Sequence, residues 1–332
     1  MKKVFLVLFL SFCMIIMTGC EKKNENTIKK DLEKEIGNLK GYHILGDLEI
    51  YNGDNTFKYR VETSNDKDNY RVSLINKSNN HEQIILKNDD GVYVLTPRLN
   101  KSFKFQSNWP ENSSQIYLLE SLLNDIKNDS NLKLVTKNNN YILESKLAYS
   151  NNKNLVKEKI YLDKNLNIKK VEVFDEDNKL QMRMKFNEID KKATFNDIYF
   201  NVKENLNSKT SSDETKETIN ERDDTIYPMY LPSGTYLSSE ENVSKTDGER
   251  VILTFSGETP FILVQETINK TDSEDIPVMG RPEFILDSVG AVSDNSVSFI
   301  SNDIEYYLSS DSMTTEEMMQ VAESISPVAV MK

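Results

Sequence analysis

The 332-residue chain is poor in the residues that carry most enzyme and metal chemistry. It has two cysteines, two histidines and one tryptophan, with eight prolines and eleven glycines. Both cysteines, Cys13 and Cys20, fall within the first twenty residues. A disulfide or a cysteine-ligated metal centre in the body of the protein is therefore excluded. His43 starts a predicted strand and His81 sits in an Asn-rich turn, and neither lies near a nucleophile motif. The GxSxG, HExxH, P-loop and GxGxxG patterns are absent. Acids are plentiful, so sequence alone leaves a carboxylate pair open. The acidic run "DEDN" at 175–178 lacks the spacing, glycine and closing Glu of an EF-hand and reads as a hairpin tip. The expectation is a protein that is not an enzyme and has no cofactor, metal or catalytic residue. Basic charge is also scarce in one part of the chain. Residues 206–332 hold 8 Lys/Arg against 24 Asp/Glu, a net of −16, whereas residues 20–205 hold 31 against 29, a net of +2. The acidic part disfavours nucleic acid and anionic surfaces as partners, and suits either a cationic partner or solubility.

Long apolar runs are missing except for one at the start. Lys2 and Lys3 form a positive region, and Val4 to Met17 form an apolar segment of secretory-signal length, too short to span a bilayer comfortably. It ends in Met17-Thr18-Gly19-Cys20, which resembles the lipobox that precedes a diacylglyceryl-modified cysteine in bacterial lipoproteins. Thr18 and Gly19 are small, as a peptidase pocket requires. Residues 1–19 are thus expected to be a lipoprotein signal peptide, Cys20 the lipidated residue, and 20–26 a tether. Two acyl chains hold a protein stably where one does not. The expected location is the extracytoplasmic face of the cell membrane, with the lipid on Cys20 as the anchor.

Beyond the tether, Ile28, Leu32, Ile36 and Leu39 recur at helical spacing over 27–38. Short alternating segments follow, at 42–51, 56–63, 69–76, 82–88, 91–96 and 101–106, punctuated by Asn, Asp and Gly turns. In "FKYRVETS", Phe57, Tyr59 and Val61 share one face. A helix interrupts them in "SSQIYLLESLLNDIKND", with Ser113 or Ser114 as its cap and Ile116, Leu119, Leu122, Leu123 and Ile126 as its stripe. Strands resume near 132–136, 141–146, 156–162, 168–174 and 179–187. Residues 206–225 have almost no apolar content and read as a linker. Strands near 235–243, 249–255, 261–268, 283–287, 296–301 and 303–308 follow, and Thr314-Thr315-Glu316-Glu317 opens a last helix as a capping box. The expected division is 27–205, then the linker, then a smaller acidic α+β domain over 226–332.

The most informative cluster is aromatic and apolar: Phe103, Phe105 and Trp109 before the helix, then Tyr117, Leu118 and Leu122 on it. These side chains are either the seam between helix and sheet or the lining of a cavity mouth for an acyl chain or partner.

Two stretches carry a resemblance. "DGVYVLTPRLNKSFKFQSNWPENSSQIYLLESLL" (90–123), through Gly91, Tyr93, Thr96, Pro97, Lys101, Phe103, Phe105, Trp109, Pro110, Tyr117 and Leu118, resembles the core of the LolA-like superfamily, especially the lipoproteins of Gram-positive spore formers of the GerS type. "YPMYLPSGTYL" (227–237) resembles the opening of the second domain in RseB-like members. The resemblance implies an α+β fold, a curved antiparallel half-barrel with helices followed by a smaller α+β domain. It further implies a non-catalytic binding or adaptor lipoprotein, in sporulation or germination, with an envelope protein such as a cell-wall amidase as partner. A LolA-like lipid or lipoprotein carrier that shields an acyl chain is one alternative. An RseB-like sensor acting on a transmembrane regulator is another. One fold hosts all three roles, so the choice is not made by fold. No nucleic acid partner is expected.

Overall fold

The computed structural model describes residues 23–107, 109, 115–138, 140–147, 154–196, 198–207, 225–245, 248–268 and 275–325. The predicted signal peptide and Cys20 lie outside them. Helix α1 (Glu25–Ile36) starts two residues before its expected place because Asn24 caps it, its Oδ1 accepting the Thr27 N–H at 2.9 Å. Residues 25 and 26, expected to belong to the tether, are helical instead. Six strands follow: β1 (Gly41–Asn52), β2 (Asn55–Asp66), β3 (Asn69–Asn76), β4 (Glu82–Asn88), β5 (Gly91–Thr96) and β6 (Lys101–Phe105). Then come helix α2 (Leu119–Asn128) and strands β7 (Lys133–Lys137), β8 (Asn140–Lys146), β9 (Lys157–Leu162), β10 (Ile168–Phe174) and β11 (Leu180–Asp190). The turns are where the sequence puts them. Gly53 at φ +57° and Asn178 at φ +59° supply the left-handed residues of the β1–β2 and β10–β11 hairpins.

These eleven strands form one curved sheet in the order β6-β5-β4-β3-β2-β1-β11-β10-β9-β8-β7, each antiparallel to its neighbour. Helices α1 and α2 fill its concave face. Ile28, Leu32 and Ile36 of α1, and Leu119, Leu122, Leu123 and Ile126 of α2, are buried in one cluster with Tyr42, Ile44, Leu48, Val72, Val94, Ile160, Val171 and Met184. Each such burial contributes on the order of 2 kcal/mol. Polar contacts fix the helix in place. Tyr42 Oη donates to Glu120 Oε2 at 2.7 Å, and Asp129 Oδ2 accepts the Lys146 N–H at 2.8 Å, pinning the end of α2 to β8.

The convex face is covered over part of its area. Ile84, Leu86, Tyr93 and Leu95 pack under Phe195, Tyr199, Phe200, Val202 and Leu206, so β4 and β5 are buried on both sides. The cover ends in α3 (Val202–Asn207). Arg71 secures it, donating Nε–H to Asn205 Oδ1 at 2.6 Å with its guanidinium over the Tyr199 ring. The expected linker at 206–225 is corrected at its start. Leu206 is buried and closes a packed helix, and residues 208–224 lie outside the described residues.

A second sheet is built from β12 (Thr235–Lys245), β13 (Gly248–Gly257), β14 (Phe261–Thr267), β16 (Arg281–Ile285), β17 (Ser288–Val292), β18 (Ser296–Ser301) and β19 (Ile304–Ser309), in the antiparallel order β12-β13-β14-β19-β18-β17-β16. Helix α4 (Thr315–Glu323) covers one face through Met318, Val321 and Ala322, against Leu253, Leu263, Val297 and Leu308. Its capping box forms as expected: Thr314 Oγ1 accepts the Glu317 N–H at 3.2 Å and Glu317 Oε2 accepts the Thr314 N–H at 2.8 Å.

The two sheets are tied by a strand that belongs to the wrong one by sequence. β15 (Asp275–Val278) leaves the second region and adds itself, parallel, to β6 at the edge of the first sheet. The chain then turns back at Gly280 into β16. Gly280 has φ +93°, and a Cβ there would come within 2.1 Å of the Val292 carbonyl oxygen, so only glycine fits this reversal. Val289 and Ala291 join the core of the first sheet, and Val278 and Phe284 pack against it. The fold is α+β: two mainly antiparallel sheets with few helices, the second plugged into the first.

Candidate functional site

A cavity of about 690 Å³ lies where the two sheets meet. Four local structures shape it. The β1–β2 hairpin contributes Ile50, Asn52 and Phe57, and the β10–β11 hairpin contributes Asp175, Glu176, Asp177 and Met182. From the other side come β16, with Arg281, Glu283 and Phe284, and α4, with Glu316, Met319 and, at its last position, Glu323. Asp175 stands there because the turn needs its side chain. Asp175 Oδ1 accepts the Lys179 N–H at 2.8 Å, closing the hairpin, while Gln181 donates to its other oxygen. Side-chain bonds cross the cleft: Asn154 Nδ2 donates to Glu316 Oε1 at 3.1 Å, and Asn52 bonds Glu323.

The floor is aromatic. Phe284 projects from the second sheet between Tyr59, at 5.9 Å between ring centroids, and Tyr117, at 6.4 Å and edge-on. The Tyr117 hydroxyl donates to Gln115. The wall is acidic: among the described residues six carboxylates, Asp175, Glu176, Asp177, Glu283, Glu316 and Glu323, face one base, Arg281. Burial pushes the Glu283 carboxyl up, opposed by Arg281, whose Nε–H donates to Glu283 Oε1 at 3.0 Å. Burial pushes Glu323 up to about 7, opposed by the bond from Asn52. Neither shift arises from a second carboxylate, so the two are not an acid pair sharing a proton. The arrangement is suited to holding a cation or an extended polar chain over an apolar floor. Among the described residues no group of three or more His, Cys, Asp or Glu side chains could hold a metal ion, and no helix is long and apolar enough to cross a membrane.

The model of the "Sporulation protein YdcC-like" family matches residues 1–200. Sporulation protein YdcC of Bacillus subtilis (strain 168) is 34% identical over 329 residues, covering 98% of this chain and 97% of the relative. The chain belongs to the YdcC-like family of sporulation proteins. Among solved structures, MucB aligns at 14% identity over 90% of this chain and 96% of its own, with a TM-score of 0.33. One chain of the structure of the CwlD amidase from Clostridioides difficile in complex with the GerS lipoprotein, a complex of two proteins, aligns at 17% identity over 53% of this chain and 98% of that one, with a TM-score of 0.29.

In this YdcC-like protein the six apolar residues singled out by sequence part company. Tyr117 lines the cleft. Phe103 and Phe105 sit at the seam between β6 and the second sheet, beside Val278, Val289 and Ala291. Trp109 is 2% exposed and stands edge-on to Tyr70 at 5.8 Å, and Leu118 and Leu122 are fully buried. Trp109, Leu118 and Leu122 are thus core and do not line the cleft. All three pack into the core cluster between the helices and the first sheet, and α2 begins later than expected. It starts at Leu119, with Leu118 extended at φ −108°, ψ 127° in the cap position, so Tyr117 and Leu118 precede the helix instead of lying on it. The expected caps Ser113 and Ser114 lie outside the described residues. The cleft's far wall, Arg281 to Phe284 and Glu323, carried no motif that sequence could flag.

Proposed function

We propose that this YdcC-like protein is a lipid-anchored, extracytoplasmic binding or adaptor protein of spore development that has no catalytic activity of its own and engages an envelope protein. A cell-wall amidase is the candidate partner. The anchor is the lipid expected on Cys20, on the strength of the lipobox-like sequence before it. One observation carries the choice among the three roles implied by the sequence. The concavity that a carrier would keep open for an acyl chain is occupied by the chain itself, by α1 and α2 and then by Val289 and Ala291. What remains between the sheets is a cleft walled by six carboxylates, a poor sleeve for hydrocarbon. The amidase enters from the likeness of residues 90–123 to GerS-type lipoproteins. Phe284 closing on Tyr59 and Tyr117 supports a rigid two-part body, as an adaptor needs.

The test is recovery of the full chain from membranes of sporulating cells after crosslinking, with organic extraction of a parallel sample. The expected outcome is a stoichiometric envelope protein, a diacylglyceryl group on Cys20 and no further bound lipid. An unmodified Cys20 thiol in soluble protein, or a second, stoichiometric acyl ligand without any protein partner, overturns the proposal.

A further inference from the structure

The two sheets together have four edges, and three are blunted. β15 is four residues long and contains Pro277. β16 contains Pro282, which is buried. β7 is five residues long and has lysine at each end, Lys133 and Lys137. Short strands, edge prolines and edge lysines are the usual means of keeping other chains from pairing with an open edge. The fourth edge, β12, has none of these along its length. It runs for eleven residues without proline, and its only lysine is its last residue. A bulge at Ser238 disturbs its start, but from Ser239↔Thr254 to Lys245↔Gly248 it holds seven regular pairs with β13. Residues 236–244 are all exposed. Among the described residues no backbone group pairs with its outer side.

The chemistry along that edge is consistent. By register with β13, Tyr236, Glu241 and Val243 stand on the outer face, and Leu237 and Glu240 on the inner. Tyr236 is 60% exposed and Val243 42%. Glu240 is held ionised by hydrogen bonds from Tyr227 Oη at 2.6 Å and Thr225 Oγ1 at 2.9 Å. Both faces therefore carry a carboxylate at mid-strand, in a region whose formal net charge is −16.

We infer that β12 is a docking edge for an extended, lysine- or arginine-bearing segment of a partner protein, which adds to the second sheet as an eighth strand. Main-chain bonds supply the binding, Glu240 and Glu241 select for cationic side chains, and Tyr236 and Val243 accept aliphatic ones. A second copy of this chain is disfavoured, because a symmetric β12 pair would set these carboxylates against each other. The inference rests on the binding role proposed above and narrows its partner.

The test uses the full-length protein in neutral detergent, with three probes: an alternating Lys-Val hexapeptide, the same peptide N-methylated at every amide, and an alternating Glu-Val hexapeptide. Binding is followed by hydrogen exchange of the β12 amides. The Lys-Val peptide is expected to protect residues 239–245 in a salt-dependent manner, the other two to give no protection, and Glu241→Lys to weaken the effect at least tenfold. The inference is overturned by no protection at about 1 mM peptide, by equal effects of the N-methylated peptide, or by an unchanged response in Glu241→Lys. Recovery of the crosslinked native partner by Glu241→Lys at the parent level, together with such a failure, sinks the edge and leaves the adaptor role standing.

Discussion

The first sheet and the second solve the same problem in opposite ways. The first, in a part of the chain with a net charge of +2, wraps around two helices, buries part of its outer face as well, and blunts both edges. The second, within a segment of net charge −16, covers one face with a single helix, lends Phe284, Val289 and Ala291 to the core of the first sheet, and leaves its longest strand open. On the inference above, the first half supplies the packed body and the second the docking edge. The two are not independent, because β15 and Phe284 make the first body incomplete without the second.

The sharpest way to break this comparison is to remove the plug. Phe284→Ala deletes the ring between Tyr59 and Tyr117 and should cost about 3 kcal/mol. In calorimetry the parent should melt in one transition, and the variant should resolve into two, as the acidic half loosens first. A single, merely lowered transition would mean that β15 alone couples the sheets.

A smaller effect should come from inside the first half. Glu158 on β9 is fully buried, and among the described residues neither carboxylate oxygen has a hydrogen-bond partner. Burial, and then the charge of Asp125, raise its pKa. A raised acid contributes stability that is fully present below the unfolded value, about 4.5, and is lost as pH rises toward the folded value. At neutral pH the group is therefore a burden, and Glu158→Met should stabilise by about 2 kcal/mol. Urea unfolding at pH 7 and pH 4 checks it: the gain should be present at the first and shrink at the second.

The smallest expected effect lies in the cleft. Glu323 is also raised, to about 7, so the stability it lends is complete below about 4.5 and lost by pH 7 to 8. Glu323→Gln, which keeps the contact with Asn52, should flatten this window and gain about 1 kcal/mol at pH 8. If Phe284→Ala has already parted the halves, the same substitution should have no effect. That double variant tests whether the burial of Glu323 is owed to the closure.

Much of the fold was legible in the sequence, and for local reasons. Phe57, Tyr59 and Val61 alternate because a half-buried strand repeats every two residues. Asn, Asp and Gly mark hairpins because those turns need left-handed residues or side-chain bonds to nearby amides. The segments at 69–76, 82–88 and 91–96 are observed strands as read. What went unread was non-local. β17, with Gly290 at its centre, and the short β15 carry too little alternation to be seen. Leu118 and Leu122 looked like possible cavity lining, but amphipathic spacing does not say whether the facing surface is a void or a packed sheet.

The sequence by itself determined the strand and helix segments, the acidic second half, the capping box at Thr314 and the scarcity of catalytic side chains, since each is set by a residue and its near neighbours. Only the tertiary structure decided that the concavity is filled, that Arg281 to Phe284 face Tyr117 across a carboxylate-lined cleft, and that β12 is an open edge. Those facts depend on which surfaces meet between residues more than a hundred positions apart, and loop closure over such distances leaves no periodic trace in the chain.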